Sequence, residues 1–174
     1  RFNHCKESIG LDTLPKVLAD EGIEYSLNKS DWYAMLPNKA EIWLGGLDDK
    51  ERTEKILGKE FATILLNEAS QIPYNSRCLA VTRLAQKCVY KNSEGVDCEL
   101  ILKTYQDCNP PNKAHWLYQM FHKKLDPETK KPLSNPEDFS SYFISFTALA
   151  ALIRCGTLVF FPPAIVAFPV KSPE

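Results

Sequence analysis

The sequence predicts an α/β protein organised around a parallel sheet, and three observations lead there. The run Ala62-Thr63-Ile64-Leu65-Leu66 is flanked by polar sequence and ends abruptly in Asn67, Glu68 and Ser70; a strand buried on both faces of a parallel sheet has this character. A second run, Leu100 to Tyr105, also ends in a polar cluster, Gln106-Asp107-Cys108-Asn109, and the Pro110-Pro111 that follows cannot extend a ladder. Finally, 174 residues of which 44% are hydrophobic suffice for one sizeable core and so for one domain. Ligands of open α/β sheets are met beyond the carboxyl ends of the strands, so the two polar tips predict one shared cleft, with Glu68 the first candidate for chemistry. A polar pair that merely caps a strand is the plainer alternative for Asn67-Glu68.

In chain order, residues 7–20 place Leu11, Leu14, Val17 and Leu18 at helical spacing, with Asp12 as N-cap, Pro15 in the first turn and Gly22 as the stop. Glu24–Leu27 and Trp32–Leu36 flank Asn28-Lys29-Ser30-Asp31, turn chemistry that predicts a hairpin. Pro37-Asn38 separates it from a short strand at Glu41–Leu44. The Gly45-Gly46 that follows reads as a structural turn, because no lysine and hydroxyl residue follow it at phosphate-loop spacing. Asp48–Gly58, acidic first and ending in glycine, predicts a short solvated helix.

Beyond the central strand, Ile72-Pro73-Tyr74 leads to a helix expected from Ser76 to Lys87, with Leu79, Thr82, Arg83 and Gln86 on one side. Arg83 then either reaches toward the cleft or stays a solvated helix charge. Lys91–Asp97 reads as a loop, His115–His122 as an aromatic helix whose stripe faces a core, and Asp126–Asp138 as a loop or linker. His115 and His122 stand seven apart on one helix, poor metal spacing, so neither is assigned a metal. From Phe139 to Val170 the only charge is Arg154, and Pro162, Pro163 and Pro169 interrupt the apolar runs, so no membrane-spanning helix is expected.

A net charge of −1 provides no global field that would drive the chain onto nucleic acid or membrane, and the lysines and arginines are scattered rather than striped. Six cysteines, at 5, 78, 88, 98, 108 and 155, show no close pairing and accompany no secretory signal, which predicts reduced thiols and a cytoplasmic setting. The chain opens at Arg1 in a charged amphipathic segment, as a fragment or processed product would.

Five blocks in order, RFNHCKESIGLDTLP, LGGLDDKERTEKILGKEF, ILLNEASQIPY, TRLAQ and DCNPPNKAHWLYQMF, resemble the large terminase subunit of tailed bacteriophages, the motor that packs DNA into procapsids. The resemblance covers residues 1–138 and implies part of a RecA-like P-loop ATPase core with a mostly parallel sheet, using ATP and Mg²⁺ to translocate double-stranded DNA in the bacterial host cytoplasm. Glu68 then matches the carboxylate that follows the Walker B strand and aims the attacking water, a role suited to a single carboxylate in line with a γ-phosphate. Asn67 stands where the family commonly has Asp; its neutral oxygen would act on magnesium only indirectly, through a coordinated water. Asn109 matches the polar sensor of the coupling motif, and Asp107 lies beside it. The implied partners are a small terminase subunit, a portal protein and further copies of the same chain.

Two departures qualify the resemblance. The phosphate-binding Walker A loop has no counterpart here and by family order would precede Arg1, so the chain by itself is expected to be inactive. Residues 139–174 form an apolar tail that departs from the pattern and lacks the acidic cluster of the family's nuclease domain, as a prophage remnant shifted in frame near residue 142 would. Another RecA-like ATPase or helicase would share the strand-tip logic but not the DCNPPNKAHW block. A non-catalytic interaction module would use the aromatic helix around Trp116 and leave the polar tips as caps.

Overall fold

The computed structural model describes residues 2–47 and 57–141. These divide after Asp107 into two compact units. In the first, the amino-terminal helix begins earlier than its apolar spacing predicts. It runs from α1 (Phe2–His4) through a π-helical stretch, Cys5–Thr13, into α2 (Leu14–Asp20). Within the wide turns the Leu14 N–H reaches back five residues to the Ile9 carbonyl, and the Thr13 hydroxyl donates to the Ser8 carbonyl at 2.9 Å. The tighter α register resumes at Leu14, so Pro15 stands in a first turn, where a missing N–H costs least. Asp12 consequently lies inside the helix, paired with Lys16 at 2.6 Å, and is not the N-cap. Leu11 is turned outward; Leu14 and Leu18 form the buried stripe. Gly22 ends the helix with φ +64°, as expected of a left-handed stop.

The predicted hairpin and the strand after it form one antiparallel meander of β1 (Ser26–Asn28), β2 (Tyr33–Met35) and β3 (Glu41–Trp43). Asn28 sets the first turn by accepting the N–H groups of Ser30 and Asp31 at 2.9 and 3.0 Å. Leu14 and Leu18 pack on Ala34, Leu36, Ala40 and Ile42 from this sheet, the core of the unit. Gly10 is needed where the helix approaches the end of β3: a Cβ there would lie 2.6 Å from Leu44 Cδ1.

The central strand is β4 (Thr63–Leu66), and it pairs in parallel with the second predicted strand, in register from Thr63↔Lys103 to Leu66↔Gln106. Between them come α3 (Tyr74–Val81) and an antiparallel hairpin of β5 (Val89–Lys91) and β6 (Asp97–Glu99), after which β7 (Lys103–Gln106) returns. The parallel pairing agrees with the sequence; a mostly parallel sheet does not extend over the described residues, where one parallel pair stands beside two antiparallel sheets. The stretch read as a loop at Lys91–Asp97 is the tight turn of a hairpin. There Asn92 accepts the N–H groups of Glu94 and Val96 and Gly95 takes φ +78°.

Two element boundaries also move. β7 starts at Lys103 because Leu100 gives its N–H to the Cys88 carbonyl, extending the hairpin, and Ile101 is 75% exposed. α3 stops at Val81, short of Lys87, because strand-like pairing claims the backbone beyond it. Phe61 donates to the Arg83 carbonyl at 2.7 Å and accepts the Gln86 N–H at 3.3 Å. In the second unit the aromatic helix closes with π-helical Tyr118–His122 and buries Trp116, Leu117 and Met120, the core role its stripe predicts. Asp126 then organises a turn by accepting the Glu128 and Thr129 N–H groups. The helix expected at Asp48–Gly58, apart from its last two residues, and the apolar tail from residue 142 lie outside the described residues. Among the described residues, no helix is long and apolar enough to cross a membrane.

Candidate functional site

The carboxyl ends of β4 and β7 lie side by side because the strands are parallel and in register, and the ladder continues one step past the last strand pair. The Asp107 N–H donates to the Leu66 carbonyl at 3.2 Å, and the Asp107 carbonyl accepts the Ala69 N–H at 2.8 Å. The Asp107 peptide thus spans the stretch opposite Asn67 and Glu68. Glu68 turns out of the strand in a left-handed conformation, φ 52° and ψ 47°, and begins the 3-10 turn Ala69–Gln71, whose Gln71 N–H returns to the Glu68 carbonyl at 2.8 Å. A left-handed glutamate is uncommon and is held here by hydrogen bonds on both sides.

Asn67, Glu68 and Asp107 are each half-buried. Burial pushes the Asp107 carboxyl above the ordinary aspartate range and the nearby Glu68 charge adds to the shift, against the pull of the Glu68 and Asp107 backbone N–H groups. Its Oδ1 is fully shielded from solvent and meets no donor, and Gln106 Oε1, one residue earlier on β7, is in the same state. Two neighbouring orphan acceptors at a strand tip are the sort of departure from polar satisfaction that accompanies function.

Sequence reasoning anticipates Asn67, Glu68 and Asp107 at the two tips, and the parallel register brings them together. Asn109 falls in the second unit and is exposed. Gln106 is visible in the sequence only as one member of a polar cluster; its orphaned oxygen depends on burial that no sequence pattern encodes. Arg83 does neither of the things its helical placement suggests. It lies past the end of α3, and its guanidinium donates to the Leu57 carbonyl at 2.8 Å and to the Thr82 hydroxyl at 3.1 Å. A cleft of about 410 Å³ lies instead at the amino end of β4, where Lys59 covers the Trp43 ring at 3.9 Å and Trp43 stacks on Tyr33 at 4.5 Å. No group of three or more metal-ligating side chains occurs among the described residues.

Residues 16–155 match the family described as terminase large subunit, T4likevirus-type, N-terminal. The chain belongs to this terminase family. The match runs past residue 138, into the apolar stretch. The terminase chain is also similar in fold to the large terminase of a thermophilic bacteriophage, with a TM-score of 0.58 and 17% identity over 95% of this chain. A second crystal form of that protein, in complex with ADP, gives 0.52 and 18% identity over 88% of this chain. The terminase chain spans 38% and 35% of the lengths of those two structures. No curated protein matches it.

Proposed function

We propose that the terminase chain is the central part of the ATPase of a phage DNA-packaging motor, a RecA-like P-loop core in which hydrolysis drives translocation of double-stranded DNA. The observation that carries this reading is the pairing of two parallel strand tips that gather Glu68, Asn67 and Asp107 at one place. Family membership and a solved neighbour that holds ADP support it further.

In this reading Glu68 is the group that orients a water and takes its proton as the water attacks the γ-phosphate. Its left-handed backbone turns the chain out of the ladder at the strand end. Magnesium, when bound with nucleotide, would neutralise charge on the phosphate oxygens. The residues here fit a hydrated cation, since the two orphan oxygens are acceptors and metal-bound waters are donors. Asn67 would orient one such water, and Asn109 would sense the γ-phosphate and pass its loss to the DNA-moving part. A phosphate loop preceding Arg1 would complete nucleotide binding, and the DNA, portal, small subunit and further copies of the large subunit would be the partners of the assembled motor.

The nucleotide sequence on either side of the coding segment tests the proposal. An in-frame phosphate loop upstream and an acidic nuclease-like segment downstream are expected of a working motor. Stop codons on both sides would leave a prophage remnant. In the working subunit Asn109→Ala should lower the length of DNA packaged per ATP hydrolysed severalfold while hydrolysis persists; unchanged packaging per ATP would remove Asn109 from the sensor role.

A further inference from the structure

Position 67 poses a charge problem that the fold answers from the neighbouring strand. An asparagine at the end of β4 offers a cation a neutral oxygen, which orients a bound water but adds no charge to hold the ion. Extending the parallel register one step past Leu66↔Gln106 sets residue 107 directly beside residue 67, and the Asp107–Leu66 and Ala69–Asp107 backbone hydrogen bonds fix that juxtaposition. Asp107 is therefore the carboxylate nearest in the ladder to the place an aspartate at 67 would occupy. Its Oδ1 is shielded from bulk water and lacks a donor, as does Gln106 Oε1 beside it. A buried acceptor without a donor costs about 1–3 kcal/mol, and two adjacent ones share a remedy in a ligand that brings several donors at once. The coordinated waters of a divalent cation are such donors.

We propose that Asp107 supplies, from β7, the negative charge that Asn67 lacks, and holds the hydrated divalent cation at the strand tips through its bound waters, with Gln106 Oε1 accepting from the same shell. This rests on the ATPase reading above for the identity of the cation, but not for its test. Asp107 is a metal-holding residue that acts through water; Glu68 keeps its separate task of aiming the attacking water.

The test uses the full chain and Mn²⁺ alone as probe, following loss of the free-ion electron paramagnetic resonance signal and its recovery on adding Mg²⁺. Asp107→Asn should weaken Mn²⁺ binding about tenfold or more, the range seen when groups supporting a metal shell are removed. Asn67→Asp introduced into that variant should restore it by returning the charge to β4, which also shows that the Asp107→Asn chain is folded. Binding by Asp107→Asn equal to the parent's would overturn the proposal, as would a parent chain that binds Mn²⁺ no better than a Glu68→Gln/Asp107→Asn double variant. Failure of the ATPase reading registers elsewhere, as hydrolysis in the complete subunit that does not depend on Glu68.

Discussion

Glu68 adopts a backbone conformation that a glycine would hold without strain, and the hydrogen bonds around it keep it there. Glu68→Gly should therefore raise stability by up to about 1 kcal/mol, read as a higher urea midpoint with an unchanged slope; a lower midpoint would mean that the carboxylate contributes more contacts than strain. Asp107 makes a parallel case through pH. Its folded carboxyl holds its proton to higher pH than the unfolded chain does, so its contribution favours the native state only at low pH and is lost as pH rises through the ordinary and then the raised value. Asp107→Asn, which cannot ionise, should be more stable than the parent at neutral pH. Screening of the half-exposed group keeps the gain below about 1 kcal/mol. The gain should vanish in melts run well below pH 4, about the unfolded aspartate value; a difference that grows in acid would reverse the assignment. None of this is legible in the sequence, because a left-handed glutamate and an orphaned oxygen arise from neighbours distant in the chain. What can be read there is the residue types at the two tips.

Local chemistry predicts the elements well where it acts alone and poorly where distant backbone intervenes. The Asn28 turn, the Gly22 stop and the parallel pairing of β4 with β7 follow from residues close in sequence or from uninterrupted apolar runs. The end of α3 does not, because the backbone from Arg83 to Gln86 is taken by Phe61, and the start of β7 is delayed by the Leu100–Cys88 hydrogen bond. The π-helical stretch is equally invisible, since its spacing still resembles an ordinary helix over one or two turns. Burial separates the apolar residues that matter from those that do not. Ile42 is 1% exposed in the core between α2 and the meander, whereas Ile101 is 75% exposed. Ile42→Ala should cost about 2–5 kcal/mol and Ile101→Ala under about 0.5 kcal/mol, as compared by chemical denaturation. Similar losses would move the core elsewhere.

At the scale of the whole molecule, five ordered blocks point to the family, and no single block or charge pattern would do so. The residue types at the strand tips suggest chemistry by themselves, and the parallel register explains why residues 67, 68 and 107, far apart in sequence, are neighbours. A net charge of −1 shows no DNA surface, since a field of that kind is local and depends on where side chains gather. The account's central claim is that these tips are the hydrolytic centre of a packaging ATPase, and it is tested most directly by steady-state ATP turnover of the complete large subunit carrying Glu68→Gln, with nucleotide affinity measured alongside. The predicted result is unchanged affinity with turnover reduced at least about 100-fold, the scale of a positioned acid–base group. Turnover equal to the parent's would contradict it.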